Sequence, residues 1–317
     1  MSRSARRRRP CRRGCYDDGS SLSSSSLLLP RPDPLIRQPL PPGRTTDVAA
    51  RRTLVLAPHF DDEVLGCGGL IRKLADDGAA VQVLFLTDGS GGVEQVDDRA
   101  AYSERRRAEA ELATKVLGCV GLEVLEIRDG ALREGRAEAA AAIRRALLEQ
   151  RPGLVLVPSP LEVTDDHRAA FDALYDVLSP LRESAAHLAL APDFEVWLYD
   201  VNHPGYPDLL VDVSDCRVTL ERAMAIYASQ EERHPYLQAA IGLRQFRTHT
   251  LGPQVALAEG FRRLVPGDFA AQSLAALVAD LGGSADEELS RLEELIREMQ
   301  GTRAWRMHRF VERVRGR

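Results

Sequence analysis

Four ionisable side chains follow the first apolar segment of the chain, and together they could bind a metal ion. The apolar run at 54–57 ends at Pro58, and after it come His59, Asp61, Asp62 and Glu63. Two adjacent carboxylates repel each other when both are ionised, so such a pair usually needs a cation or a shared proton. A histidine nitrogen with a carboxylate oxygen is a ligand set that suits zinc. Alternatively, these acids are a helix N-cap and first-turn charges that favour the helix dipole.

A second segment of similar design favours the metal interpretation. The apolar run at 154–157 ends at Pro158, and Asp166 and His167 follow it at the start of a helical stretch. An apolar run of this length before a turn and a helix is typical of a buried parallel strand. Ligands bind outside the carboxyl ends of such strands. Two strand ends that each offer His and Asp at the same edge of a sheet can therefore converge on one ion.

The elements that must position these segments alternate along the chain. Apolar runs predict strands near 53–57, 81–86, 122–127, 154–157, 195–201 and 209–213. Helical spacing predicts helices over 67–77, 100–117, 134–150, 166–178 and 215–229. This alternation predicts an α/β fold, Rossmann-like, with an open, mostly parallel sheet and helices on both faces. The glycines at 66–69 lack the GxGxxG spacing, so dinucleotide binding is not favoured.

The two segments resemble the motifs of the PIG-L/LmbE-like family of zinc-dependent N-deacetylases (GlcNAc-PI de-N-acetylase-like). Pro58 to Glu63, with Gly68-Gly69 after it, is similar to the family's usual (P/A)-H-P-D-D-E, and the second segment is similar to its usual H-P-D-H. Further similar segments are Thr87-Asp88-Gly89, the Arg/Glu-rich helix at 104–110, and the stretches at 194–197, 227–230 and 258–261. Together the matching segments cover residues 52–265.

The resemblance implies a metal-dependent hydrolysis. Carried over residue by residue, it implies that His59, Asp62 and His167 bind Zn²⁺ or another divalent transition metal, and that Asp61 is the general base. A catalytic zinc typically keeps three protein ligands and an open position for a water whose pKa falls towards 7. With this zinc-bound water as nucleophile, the implied reaction removes an N-acyl group, usually acetyl, from an amino sugar or glycoconjugate. The carboxylates expected to orient ligand histidines or cap helices are Asp166 and Glu63.

The sequence departs from the family pattern at two positions. Phe60 replaces the usual proline, which changes the stiffness of the loop but removes no ligand. Thr164 stands where the second motif normally has its first histidine, which in the family is taken to help polarise the amide or protonate the departing amine. His203 follows the fifth predicted strand, at the same edge of the sheet, and is predicted to be the catalytic group that replaces it. Alternatively, Asp61 transfers the proton alone.

Two side chains are predicted to contact the substrate. Arg105 is the first of three consecutive arginines that follow the loop at 88–99. Arginine suits bidentate recognition of planar groups, although a solvated helix face is the alternative for all three. The Thr164 hydroxyl could still donate a hydrogen bond, but it cannot change charge near neutral pH as an imidazole can.

Two other functions stay open. An amidase that acts on a thiol–sugar conjugate would use the same metal chemistry with a different leaving group. A catalytically impaired glycan-binding homologue would explain the threonine at position 164. The four residues His59, Asp61, Asp62 and His167 argue against that second alternative, because a protein that has lost catalysis has no reason to keep the base.

The composition is that of an enzyme in a reducing compartment. The 317 residues are 44% hydrophobic and 28% charged, enough for one large domain with appendages. No run of eighteen apolar residues is present, so the sequence predicts no transmembrane segment. The net charge of -5 gives no general nucleic-acid signal. Five scattered cysteines without a CxxC pair favour a cytoplasmic location.

Both ends of the chain differ in character from the middle. Residues 1–50 are rich in Arg, Ser and Pro and are predicted to be a disordered tail. Residues 51–265 are predicted to form the deacetylase-like domain, and 266–317 a helical, basic C-terminal extension. Within this extension, 286–299 has the apolar spacing of an amphipathic helix. Such a helix packs on the domain, mediates a homo-oligomer, or makes peripheral contact with an anionic membrane.

Overall fold

A mixed sheet of seven strands forms the centre of the part of the chain that the structure describes. This structure, a computed structural model, describes residues 51–91, 99–182, 191, 193–205 and 207–282. The strands are β1 (Thr53–Ala57), β2 (Val81–Phe85), β3 (Gly121–Val124), β4 (Leu154–Pro158), β5 (Glu195–Tyr199), β6 (Leu209–Asp212) and β7 (Ala258–Leu264). Their order is β3-β2-β1-β4-β5-β7-β6. Strands β1 to β5 run parallel, whereas β7 pairs antiparallel with both β5 and β6.

Helices cover both faces of this sheet. The α-helices are α1 (Asp62–Asp76), α2 (Arg99–Leu117), α3 (Arg136–Gln150), α4 (Asp165–Leu178), α5 (Arg217–Ile226), α6 (Ala228–Glu231), α7 (Tyr236–Phe246), α8 (Pro266–Ala271) and α9 (Leu274–Gly282). Short 3-10 helices lie at Ser179–Arg182, Ser214–Cys216 and Arg247–Thr250. The predicted α/β fold with a mostly parallel sheet is confirmed. None of the described helices is both long and apolar enough to cross a membrane.

Successive residues of a central strand pack into two separate cores. In β1, Val55 belongs to the core that side chains of α1, α2 and α5 complete. Its neighbours Leu54 and Leu56 belong to the other core, which α3 and α4 cover. All five residues of β1 and of β4 are buried, as expected for parallel strands with helices on both sides. The two strands that precede the polar segments are therefore the most firmly enclosed part of the sheet.

Two predicted helices differ from the observed ones, and one observed strand was missed. Helix α1 begins at Asp62, before the predicted start at 67, and bends at Cys67, whose φ and ψ are -145° and 18°. The predicted helix at 215–229 is divided at Tyr227, where ψ is 52°. Strand β7 was not predicted, because Glu259 and two arginines interrupt its apolar pattern. Glu259 is nevertheless fully buried, with its charge paired to a buried arginine of α7, Arg244.

The first part of the predicted C-terminal extension packs on the domain. Phe269 of α8 and Leu277 of α9 are buried in the core that α3 and α4 cover. The Tyr175 hydroxyl of α4 donates a 2.7 Å hydrogen bond to the Gln272 carbonyl, which lies between the two helices. The predicted tail at 1–50 and the predicted amphipathic helix at 286–299 lie outside the described residues.

Candidate active site

The two polar segments meet where the strand order reverses. Strands β1 and β4 are adjacent and parallel, with Val55 opposite Leu156. From this point the chain proceeds to β2 on one side and to β5 on the other, which is the position where open α/β sheets bind ligands. The loop after β1 carries the histidine and carboxylates of the first segment. The first turn of α4, after β4, carries Asp166 and His167.

Three side chains from these segments form a compact group. The Asp62 carboxylate lies between two histidines, with Oδ2 3.4 Å from His59 Nδ1 and 3.2 Å from His167 Nε2. One ligand atom from each of the three residues lies within 4.8 Å of the other two. Asp62 and His167 are buried, whereas the His59 ring keeps some contact with solvent. This group consists of the three residues predicted to bind the metal.

Carboxylates on the far side of each ring orient the two histidines. His59 Nε2 lies 3.1 Å from Asp166 Oδ2, and His167 Nδ1 lies 3.3 Å from Glu162 Oε2. With the ring protons on these hydrogen bonds, as in a metal-bound state, His59 Nδ1 and His167 Nε2 would offer their lone pairs to the ion. The buried His167 Nε2 has no hydrogen-bond partner among the described residues. A buried nitrogen without a partner, beside a carboxylate, fits a divalent metal such as zinc.

Glu162 was not predicted as a site residue, yet it connects a candidate ligand with a loop. Its Oε1 accepts hydrogen bonds from the backbone N–H groups of Val201, at 2.6 Å, Asn202, at 3.1 Å, and His203, at 3.3 Å. Burial favours the neutral carboxyl group, but the bonds from His167 and from this loop keep the pKa of Glu162 below its usual range. The sequence contains one signal for it, a carboxylate five residues before the candidate ligand His167.

Glu162→Gln is expected to weaken zinc binding by about 10–100-fold, the usual effect of removing a partner that orients a ligand. Glutamine has a single carbonyl oxygen, so it can serve either His167 or the loop, but not both. Competition with a chromogenic chelator would measure the affinity. Asp165→Asn is the matched control, because Asp165 is exposed and pairs with Arg168 and Arg133. Equal affinities in the two variants would remove Glu162 from this role.

The pKa values of the three residues in this group are shifted, downwards for the aspartate and upwards for the two histidines. Burial raises the pKa of Asp62, but the two histidines outweigh it and hold this pKa well below its usual range. Burial likewise lowers the pKa of His167, yet Asp62 and Glu162 raise it to about 9. For His59, the same opposition of burial against Asp166 and Asp62 leaves the pKa well above its usual range. The carboxylates around the two rings therefore favour positive charge at this position, as they would favour a bound cation.

Asp61 differs from its neighbour Asp62. Burial and the adjacent Asp62 charge raise the pKa of Asp61 to about 7. Asp61 lies at the N-cap position of α1, but its carboxylate makes no capping hydrogen bond. Asp62 Oδ2 accepts a 2.8 Å bond from the backbone N–H of His59, so it does not cap the helix either. Neither aspartate therefore caps α1 with its side chain, although Asp62 and Glu63 do lie in the first turn of this helix.

One arginine of α2 reaches the site, and it is Arg106. Its buried guanidinium donates 2.9 Å hydrogen bonds to the carbonyl oxygens of Phe60 and Gly89, and pairs with Asp129 at 3.1 Å. Arg105, which was predicted to contact substrate, is 46% exposed. It pairs with Glu109 and Glu232, each at 3.2 Å. Consecutive helical residues point about 100° apart, so only one arginine of the three can face the site.

The remaining predicted residues lie at the edge of the group. Thr164 is the N-cap residue of α4, and its buried hydroxyl has no hydrogen-bond partner among the described residues. The His203 side chain is exposed, while its backbone N–H binds Glu162. Asp129 was not predicted, but its Oδ1 lies 3.4 Å from His59 Nε2. The structure therefore brings His59, Asp62 and His167 together, with Thr164 and His203 nearby in the chain segments that surround them.

Comparison with known proteins identifies relatives of the whole described domain. The PIG-L family profile, described as GlcNAc-PI de-N-acetylase, matches residues 54–178. Diacetylchitobiose deacetylase from Thermococcus kodakarensis is 33% identical over 267 residues, which cover 77% of this chain and 91% of that protein. Among solved structures, N,N'-diacetylchitobiose deacetylase from Pyrococcus horikoshii has a TM-score of 0.58 at 26% identity, covering 71% of this chain and 88% of that one.

A further solved structure shows that the fold alone does not define the reaction. The 4-carboxy-2-hydroxymuconate hydratase from Pseudomonas putida has a TM-score of 0.55 at 22% identity, covering 68% of this chain and 97% of that one. A fold can support several chemistries, so family membership needs similarity of sequence as well. The Thermococcus relative has this similarity of sequence over nearly the whole length of its own chain. The residues that match the family profile include both segments that build the site. This chain belongs to the PIG-L family of deacetylases.

Proposed function

We propose that the protein removes the N-acetyl group from an amino sugar or glycoconjugate by hydrolysis, with zinc held by His59, Asp62 and His167. The observation that carries this proposal is the buried His167 Nε2, which lies 3.2 Å from the Asp62 carboxylate but makes no hydrogen bond of acceptable geometry with any described residue. The Thermococcus relative is named for a diacetylated amino sugar, which supports this substrate class.

The chain supplies the groups that move protons in this reaction. A zinc ion, when bound, would polarise the amide carbonyl and lower the pKa of its bound water towards 7. Asp61 accepts the proton from the attacking water, because its pKa of about 7 is matched to neutral pH. Arg106 fixes the loop that carries Asp61, through its bond to the Phe60 carbonyl. In the alternative without a second proton donor, Asp61 also returns this proton to the nitrogen of the departing amine.

His203 is proposed as a second proton donor, in place of the family histidine that Thr164 replaces. Glu162 binds the backbone N–H of His203 at 3.3 Å and the His167 ring at 3.3 Å, so one carboxylate connects the two residues. Imidazole changes charge near neutral pH, which a threonine hydroxyl cannot do. This proposal requires the exposed His203 ring to reach the departing amine from the solvent side.

His203→Ala is expected to lower turnover by about 100-fold at unchanged zinc content, the scale of positioned proton transfer. The pH–rate profile of the variant is compared with that of the parent. Thr164→His in the same background should restore part of the rate. His234→Ala, at another exposed histidine, is the control. A variant that behaves like the parent at every pH would assign both proton transfers to Asp61.

The proposed function is tested with the purified full chain. Metal analysis is combined with measurement of acetate release from a panel of N-acetylglucosamine conjugates that includes diacetylchitobiose and a thiol–sugar conjugate. Release from the amino-sugar members is expected. Preference for the thiol–sugar conjugate would support the alternative amidase. A protein that binds zinc yet releases no acetate would support the glycan-binding homologue that the threonine at position 164 suggests.

A further inference from the structure

Asp61 has a backbone conformation that residues with a side chain seldom adopt. Its φ and ψ are 113° and -24°. Among the described residues other than glycine, Arg151 also has a positive φ, but its value of 47° lies in the ordinary left-handed region at the end of α3. Such strain persists only where the surrounding structure holds it, and it is concentrated at functional sites.

A buried chain of two hydrogen bonds holds this backbone. The Asp61 N–H donates to Glu63 Oε2 at 3.2 Å, and the Tyr227 hydroxyl donates to Glu63 Oε1 at 2.6 Å. Glu63 and Tyr227 are both fully buried. Tyr227 lies at the break between α5 and α6, far from Asp61 in the sequence. A tyrosine from another part of the fold therefore reaches the candidate base through one carboxylate.

The Tyr227 hydroxyl limits where the Glu63 carboxylate can lie. Without that hydroxyl, Glu63 Oε1 would be a buried acceptor that has lost its partner. Such a group moves to find another donor or a water molecule, because an unsatisfied buried acceptor is unfavourable. Movement of Glu63 would release the Asp61 N–H, and the strained backbone of Asp61 could then relax.

We propose that Tyr227 is a positioning residue, which acts through Glu63 to hold the strained backbone of Asp61 and thereby aims its carboxylate at the attacking water. This inference rests on the proposed function, in which Asp61 is the base. Misplacement of a catalytic group by about 1 Å can cost about 100-fold in rate. The Tyr227 hydroxyl acts through its bond to Glu63 and not as a group that reacts with the substrate.

Tyr227→Phe, which removes only the hydroxyl, tests the proposal. It is expected to lower kcat by about 10–100-fold, with KM and zinc content unchanged. The matched control is Tyr199→Phe, because Tyr199 is also fully buried and its hydroxyl donates one 2.8 Å bond, to the Leu56 carbonyl. Both variants lose one buried hydrogen bond, so their melting temperatures should fall similarly. Equal losses of kcat in the two variants would overturn the proposal.

Two substitutions at Glu63 complete the test, and they replace Tyr227→Phe in it if that variant does not fold. Glu63→Met removes the acceptor for both hydrogen bonds without leaving a buried charge. Its kcat should fall by about the same factor as that of Tyr227→Phe. Glu63→Gln keeps an oxygen for the Asp61 N–H and an amide that can donate to the Tyr227 oxygen. It should therefore retain more activity than Glu63→Met. The reverse order would contradict the proposal.

A crystal structure of metal-free Tyr227→Phe separates this inference from the proposed function. We expect the φ of Asp61 to become negative in this variant and to stay positive in Tyr199→Phe. A positive φ in both variants would overturn the positioning role. The parent protein could release no acetate while the φ of Asp61 still changes in Tyr227→Phe. The proposed function would then be wrong, but Tyr227 would still hold the Asp61 backbone through Glu63.

Discussion

Asp61→Asn is expected to lower turnover of the zinc-loaded protein by at least ~100-fold, with zinc content unchanged. Asparagine has almost the same shape as aspartate but cannot accept a proton from water. The Asp61 carboxylate caps no helix, and its pKa of about 7 suits proton exchange at neutral pH. Steady-state kinetics with an N-acetylated amino sugar, together with metal analysis of the same preparation, would measure both quantities.

Asp62→Asn is the matched control for this experiment. Asp62 is adjacent in sequence and equally buried, but its Oδ2 lies between the two histidines. The Asp62 variant should therefore lose zinc as well as activity, whereas the Asp61 variant should lose activity alone. Loss of zinc from Asp61→Asn would place this residue among the ligands. Unchanged turnover would exclude it as the base.

Local patterns predicted that the two polar segments converge, whereas the resemblance to the family implied which three of their residues are the candidate ligands. Each of the two segments follows a short apolar run that ends at a proline, which indicates where a buried strand ends. Parallel strands place their carboxyl ends at one edge, and β1 and β4 are neighbours in the sheet. Hence His59, Asp62 and His167 converge without any information about loops.

The residues that were missed depend on contacts between distant parts of the chain. Glu162 orients His167 only because the loop at 201–203 folds over its carboxylate. The choice of Arg106 over Arg105 depends on the rotation of α2 about its axis, which three consecutive arginines do not reveal. Secondary-structure propensity and hydrophobic periodicity contain no information on such contacts. The roles of Glu162 and Arg106 could therefore be recognised only from the structure.

The predicted helix began at 67, but α1 begins at Asp62 and therefore includes Gly66 as well as Gly68 and Gly69. In the structure these glycines lie inside the helix, at points of close packing. A Cβ at Gly66 would collide with the Tyr199 ring, and one at Gly69 would lie 2.6 Å from Val213. Glycine is permitted in a helix where a neighbour approaches this closely, although it weakens the helix in isolation. Tertiary packing thus outweighs the local preference.

His167→Ala is expected to weaken zinc binding by more than about 100-fold, beyond the loss expected at Glu162, because it removes a ligand and not a partner of one. His167 is buried, and its Nε2 makes no hydrogen bond of acceptable geometry with any described residue. His249→Ala is the control, since His249 is exposed and its Nδ1 lies 2.6 Å from the Phe246 carbonyl.

Thermal unfolding of untagged protein gives a measurement of zinc binding that does not depend on catalysis. A ligand present at a hundred times its Kd stabilises the folded state by about 2.7 kcal/mol, which raises the Tm of a domain of this size by about 5–10 °C. Zinc should produce this shift in the parent and in His249→Ala, but not in His167→Ala. The same shift in all three proteins would mean that zinc binds elsewhere. In that case the partnerless nitrogen of His167 would need another explanation, and the proposed hydrolysis would lose its metal.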